Sequence, residues 1–488
     1  MASTSKARPP RVAVLGAGMA GLLAGIRLDR IGLHDYVIYE KAARLGGTWR
    51  ENTYPGIACD VPAHLYTYSF EPNPDWSQTF APGSEIQAYF ERVAAKYGLL
   101  PKLHCNSEIT RCEFAEGRWQ LQLANGERDV VDVVIAATGV LHHPNFPELE
   151  GLADFGGACF HSAQWNHDVP LDGRRVGVIG TGSTAIQITS ALVPRVKAFT
   201  LFQRTAQWIM AIENPAYSDE ERAAFAADRA KIEEIRQQAN TMMIDFVSNA
   251  VIDADSENMK KIERRCLQNL ENSVQDPALR ERLRPNYRAA CKRLVFSADF
   301  YHHIQQPNAN LVTSGIVGVE KDGVRTEDGV LHELDVLVLA TGYRADRFVR
   351  PTVVKGRGGV DLDDLWAERP SAYLSLSVPG FPNFFLLNGP NGPVGNFSLI
   401  AVAELQLDYV LQLVERLRSG ACRELSASTQ AMAAFEEARI AAAKGAIWST
   451  GCKSWYLDKH GVPASWPWSY RRFAEEMAAP KLEAFEVV

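Results

Sequence analysis

No two cysteines stand in C-x-x-C spacing. The eight present, Cys59, Cys105, Cys112, Cys159, Cys266, Cys291, Cys422 and Cys452, are scattered over 488 residues. That scatter does not read as a disulfide framework or a zinc site, and it argues against an oxidoreductase working through a vicinal dithiol. An excess of positive charge is also missing. The formal net charge is -7 and the pI about 5.9, so neither nucleic acid nor an anionic membrane is an expected partner. Long apolar runs are lacking too. "VAVLGAGMAGLLAGI" is interrupted by glycines and runs into Arg-Leu-Asp-Arg, which suits neither a membrane span nor an export signal. The opening "MASTSKARPP" reads as a loose polar tail, and a cytoplasmic location is the default expectation.

What is present is ample material for large cores, with 46% hydrophobic and 22% charged residues. The length corresponds to roughly three ordinary domains. In "RVAVLGAGMAGLLAGIRL" a β-branched run leads into Gly16, Gly18 and Gly21 in G-x-G-x-x-G register, then into a helical pattern, and "YVIYE" closes the unit at Glu40. Between strand and helix such glycines let the backbone turn sharply and approach a pyrophosphate at the helix N-terminus. A second copy, "RRVGVIGTGSTAIQI", carries Gly180 and Gly182, with Ala185 in the third position. Ser183 opens its helix, and "AFTLFQRT" closes it with Arg204 and Thr205. Glu40 lies 24 residues after Gly16, and Arg204 lies 24 after Gly180. A carboxylate there suits a ribose 2′-hydroxyl, and a guanidinium suits a 2′-phosphate. The first site is therefore expected to take a non-phosphorylated dinucleotide and the second NADP(H), unless Arg204 is simply a solvated surface arginine.

Two "ATG" segments, in "DVVIAATGV" and "DVLVLATGY", follow buried-strand patterns and suit a FAD domain interrupted by an NADP domain. Between 211 and 290, "SDEERAAFAADRAKIEEIRQQANTMM" and "ENMKKIERRCLQNLENSV" have helical periodicity and charged faces. The expected fold is α/β, with two Rossmann-like dinucleotide-binding domains for FAD and NADP and a helical insert in the latter. The FAD domain takes residues 1–145. The NADP domain takes 146–340, with a linker at 146–172 and the insert at 211–290. Residues 341–488 return to the FAD domain and end in a C-terminal segment.

Four stretches resemble the class B flavoprotein monooxygenases, specifically their Baeyer–Villiger branch. They are "GAGMAG", "GGTWRENTYPGIACD" (46–60), "FGGACFHSAQW" (155–165) and "CKRLVFSADFY" (291–301). Phe155, Gly157, His161 and Trp165 fall on the family's F-x-G-x-x-x-H-x-x-x-W marker. Asn166 follows where the family usually has Pro or Asp. His161 has no ligand-spaced partner, since His167 is six residues on, so no metal is expected there. It reads instead as an anchor in an interdomain linker.

The resemblance implies an FAD-containing monooxygenase, dependent on NADPH and O2, that converts ketones to esters or lactones through a C4a-peroxyflavin. The alternative is a heteroatom oxygenase of the same fold acting on nitrogen or sulfur. Arg293 would be the catalytic cation beside the peroxyanion, and Asp60 the carboxylate that orients it. Lys292 would join Arg204 on the NADP 2′-phosphate. Trp49 and Tyr66 would neighbour the flavin, or merely pack in a core. "CKSWYLDKHG" resembles the segment whose tryptophan, here Trp455, covers the nicotinamide. The loop "LLNGPNGPVGNFSLI" should approach the flavin ring, with Asn396 and Phe397 facing substrate. The partners so implied are a ketone and O2, with no nucleic acid and no membrane; protein partners are left open.

Overall fold

A computed structural model describes residues 8–395 and 397–488. The tail reading at 1–7 and the role expected of Asn396 lie outside the described residues.

Two five-stranded parallel sheets organise the chain. The first runs Phe384–Leu386, Val133–Ala136, Val12–Leu15, Tyr36–Tyr39, Leu103–His104 in spatial order. The second runs Ala158–His161, Val336–Leu339, Arg175–Ile179, Ala198–Phe202, Ala309–Val312. The orders correspond place for place. In each, the strand before a glycine turn lies beside the strand of an "ATG" segment, and one further strand sits outside that. The outer place is filled differently: by Phe384–Leu386, late in the chain, in the first sheet, and by Ala158–His161, the linker itself, in the second.

These strands are apolar almost throughout because both faces of each sheet are covered. In Val12–Leu15, Val12 and Val14 pack under the helix Met19–Arg30, among Leu22, Leu23 and Ile26. Ala13 and Leu15 pack against Trp119, Leu121 and Phe114 of a four-stranded, mainly antiparallel sheet. In the second sheet Val176 and Val178 meet Ile186 and Ile188 of the helix Ser183–Leu192. Leu337 and Leu339 pack with Val319 and Val324 of a three-stranded sheet on the other face.

The helical texture after 211 folds as Asp219–Ala227, Arg229–Thr241, Glu257–Ser273 and Pro277–Arg282. Each start is fixed by a side-chain cap from Ser218, Asp228, Ser256 or Asp276, which satisfies otherwise orphaned backbone N–H groups. Asp228 also splits what reads in the sequence as one helical run. A π-helical stretch, Met242–Ser248, follows the second of these helices. Met259, Ile262 and Cys266 of the insert share a core with Cys291, Leu294, Trp448 and Tyr456, so insert and C-terminal segment pack together. No helix among the described residues is long and apolar enough to cross a membrane.

The cysteine reading needs one correction. Cys291 and Cys452, 161 residues apart, form a disulfide with Cα atoms 6.1 Å apart. Nothing in their spacing announces the pair. The packing of the insert on the C-terminal segment brings them together.

Candidate active site

A single cavity of about 1410 Å³ runs between the two sheets and is lined by both glycine turns. Pockets for one drug-sized ligand occupy about 300–1,000 Å³, so this one has room for two. Gly16, Gly18, Glu40, Trp49, Asp60, Tyr66, Gly180, Gly182, Ser183, Arg204, Thr205, Lys292, Arg293, Phe397 and Trp455 all contribute to its wall. Gly21 does not. A Cβ there would run into the carbonyl of Gly16, so this glycine lets the helix close on the turn.

The first turn presents backbone N–H groups at the start of Met19–Arg30, which has no side-chain cap of its own. Glu40 ends the neighbouring strand and is buried. Its carboxylate accepts from Ala17 N and Ala42 N, both at 2.9 Å, and from Arg50 Nη1 at 3.0 Å. The acid therefore braces the turn as well as facing the cavity. Trp49 Nε1 donates to the Tyr66 hydroxyl at 3.2 Å, and the rings meet edge to face at 5.6 Å. Gly56 of the "YPG" stretch lies close enough to the helix Ser183–Leu192 that a Cβ would stand 2.7 Å from Gln187 O. Tyr54 and Ala58 hydrogen-bond the Gln187 side chain. A stretch belonging to the first fold is thus seated on the second.

The second turn has the form a phosphate cradle needs. Gly180 adopts φ +126°, and a Cβ on Gly182 would meet no protein atom within 4 Å, which leaves the backbone there open to a ligand. Lys292 and Arg204 face the same space, and among the described residues neither has an acidic partner. Burial, and then the charge of Arg204, hold the Lys292 ammonium below its ordinary pKa. Two cations left to repel each other beside a helix N-terminus suit an anionic group, as the 2′-phosphate of NADP(H) is.

Arg293 is held from two sides of the wall. It follows Cys291 and precedes Val295–Phe296, which pairs with Ile209–Met210. Its Nε donates to Asp60 Oδ2 at 3.0 Å, Nη2 donates to the same oxygen, and Nη1 donates to Gly395 O. The side chains of Arg293 and Asp60 are 24% and 30% exposed. Burial works against the guanidinium's charge. Asp60 above all, with Tyr456 beside it, outweighs that and holds its pKa above the ordinary value. Two partners of this cluster, Gly395 and Tyr456, were not legible as such in the sequence.

His161 is fully buried. Its Nδ1 accepts from Ala163 N at 3.0 Å, which leaves Nε2 to carry the proton and donate to Gly342 O at 3.1 Å. It therefore ties the linker strand to the second "ATG" turn. Trp165 packs edge to face on Phe160 at 5.1 Å. Trp455 lies at the cavity rim, 41% exposed, stacked on Tyr456 with ring centroids 4.1 Å apart.

Two parallel dinucleotide folds facing one cavity, with an arginine–aspartate pair between them, define a flavoprotein oxidoreductase using a phosphorylated nicotinamide nucleotide. Residues 9–357 match the family model of flavin-binding monooxygenase-like proteins. The chain is 45% identical over 462 residues to an uncharacterised monooxygenase of Mycobacterium tuberculosis, covering 95% of this chain and 93% of that one. It is 38% identical to a Baeyer–Villiger monooxygenase of Streptomyces coelicolor, covering 98% and 92%. It superposes on the NADP+-bound crystal structure of cyclohexanone monooxygenase from Rhodococcus sp. Phi1 with a TM-score of 0.87 at 28% identity, covering 98% and 99%. The chain belongs to the flavin-binding monooxygenase-like family and, within it, to the Baeyer–Villiger monooxygenases; FAD and NADPH are its cofactors.

Proposed function

We propose that this enzyme inserts one atom of O2 beside the carbonyl of a ketone, giving an ester or lactone. The observation that carries the reading is Arg293, a permanent cation held by Asp60 and the Gly395 carbonyl in the wall of a cavity with room for two nucleotides. When bound, FAD reduced by NADPH supplies the activated oxygen.

The chain's own residues account for the rest. Backbone N–H groups at Gly16–Gly18 and Gly180–Gly182, with Ser183, receive the two pyrophosphates. Glu40 accepts from the FAD ribose. Trp49 and Tyr66 wall the flavin. Arg204, Lys292 and Thr205 hold the nicotinamide nucleotide by its 2′-phosphate, and Trp455 covers the nicotinamide. Arg293 directs its remaining N–H groups toward negative charge that develops on oxygen. Asp60 cannot move that charge away, because one of its oxygens takes two of the guanidinium's donors and fixes the plane of the fork.

The test is NADPH consumption under air with hydrogen peroxide quantified, across cyclic, aryl and linear ketones and a thioether. Ketones should suppress peroxide and yield ester in matching amount. If ketones leave peroxide stoichiometric while a thioether suppresses it, the enzyme is a heteroatom oxygenase.

A further inference from the structure

Arg293 reaches its position through contacts on three sides. Asp60 comes from the first fold, Gly395 from the loop after the outer strand of the first sheet, and the third side is closed by the C-terminal segment. We propose that Tyr456 is a positioning residue for Arg293: its hydroxyl holds the guanidinium on the Gly395 side, and the Cys291–Cys452 disulfide is the strut that keeps it there.

Several independent observations meet on this residue. The Tyr456 ring is 4% exposed and packed between Trp448, at 5.4 Å, and Trp455, at 4.1 Å, so its ring is fixed. Its hydroxyl lies against Gly395, where any side chain would collide with it, and Gly395 adopts φ +93°. The Gly395 carbonyl accepts from Arg293, and the Tyr456 hydroxyl stands beside both. The tyrosine is itself tied down, with its carbonyl accepting from Ala464 N at 2.8 Å. Cys291 stands two residues before Arg293 and Cys452 four before Tyr456, so the disulfide clamps the two segments together just upstream of the contact.

Geometry decides the role. A guanidinium has five N–H donors. Asp60 takes two and Gly395 one. The two left, one on each terminal nitrogen, are available to the reacting oxygen and to the Tyr456 hydroxyl beside them. Without the hydroxyl, Nη1 regains freedom on the Gly395 side and the remaining donor loses its aim. Misaim at this point costs rate in the oxygenating step and not in nucleotide binding, since Tyr456 is not among the residues that line the nucleotide cavity, as Arg204 and the glycine turn are. Burial keeps the phenol protonated by raising its pKa, so it serves as a neutral acceptor and not as an acid.

The inference rests on the assignment of Arg293 above, and the experiment separates the two. The holoenzymes Y456F and R293K are compared with wild type for ester formation, peroxide release, KM for NADPH and NADP+ affinity by titration, and Y456F is crystallised. The phenylalanine keeps the packed ring, and NADP+ titration shows that the nucleotide site is assembled. We expect Y456F to lose roughly ten-fold in kcat for ester, as a charge-assisted hydrogen bond contributes. The flux should be diverted to peroxide, with KM for NADPH and NADP+ affinity unchanged and Arg293 Nη1 displaced from Gly395 O. If Y456F couples as wild type, or its guanidinium stays in place, or KM and kcat worsen together, the role of Tyr456 falls. If R293K itself forms ester at the wild-type rate, the assignment of Arg293 falls first.

Discussion

Removing Arg204 should change which nucleotide the enzyme uses without changing the chemistry it performs. Arg204 is exposed at the end of Ala198–Phe202, and Lys292 is half-buried across the same part of the cavity. A hydrogen bond to a charged group contributes about 1.5–3 kcal/mol, and the exposed Arg204 belongs at the lower end. Arg204→Ala should therefore raise KM for NADPH roughly ten-fold. Lys292 partly compensates. Its pKa is depressed first by burial and then by Arg204, so loss of the arginine lets the lysine hold its proton more firmly. Lys292→Ala, with no such relief, should cost more, and the double variant more than the two losses combined, because in Arg204→Ala the remaining lysine takes up part of the lost interaction. The assay is steady-state oxidation of NADPH and NADH, in parallel and at two salt concentrations. NADH, which lacks the phosphate, should be oxidised by all variants with its wild-type KM, and the salt dependence of the NADPH KM should weaken. Equal losses for the two nucleotides would refute the assignment of this pair.

Three further expectations follow from the geometry. Gly182→Ala should leave stability unchanged while weakening NADP+ binding, because its methyl meets only open cavity, whereas Gly180→Ala should also destabilise by about 1–3 kcal/mol, with a strained φ and a collision with Ala340 O; denaturant midpoints and NADP+ titration tell them apart. His64 is 1% exposed between Tyr217 and Phe225 with neither ring nitrogen bonded among the described residues, and burial lowers its pKa to about 4. The unfolded chain takes up that proton from about pH 6.5 downward while the folded one resists until about 4, so stability should fall by about 2 kcal/mol between pH 7 and 5, and His64→Phe should flatten that part of the midpoint–pH curve. Reducing the Cys291–Cys452 link, which closes a loop of 161 residues, releases chain entropy equivalent to about 5 kcal/mol at most, so melting with and without a dithiol should show a clear drop in wild type and none in Cys452→Ala.

The parallel cores were legible because a buried parallel strand has no polar face to disguise it: "VAVL", "VGVI", "VVIA" and "VLVL" are apolar at nearly every position. The glycine turns were legible because their spacing is dictated by a tight turn and a close approach. The residues that came from far away in the chain were not. Tyr456 reaches Arg293 because the insert and the C-terminal segment share a core, and Gly395 because the loop after Phe384–Leu386 runs past it; neither has a local pattern that says so. The disulfide escaped for the same reason. Glu40 was read as a ligand for a ribose. The structure adds a second task, bracing its own turn through Ala17 and Ala42, which a lone carboxylate at a strand end does not disclose.

The borrowed edge strand Ala158–His161 alters where the molecule can swivel. The chain that departs from the first fold is already woven into the second by the time it reaches residue 158, and His161 bolts it to the Gly342 turn at the other crossing. The two connections between folds therefore converge on one fastened corner. Any pivoting of one nucleotide cradle over the other must be taken up in the stretch ahead of Ala158 and in the residues after Gly342, with the sheet travelling as a rigid plate. Excising the second fold at residue 172 would strip that plate of its outermost plank.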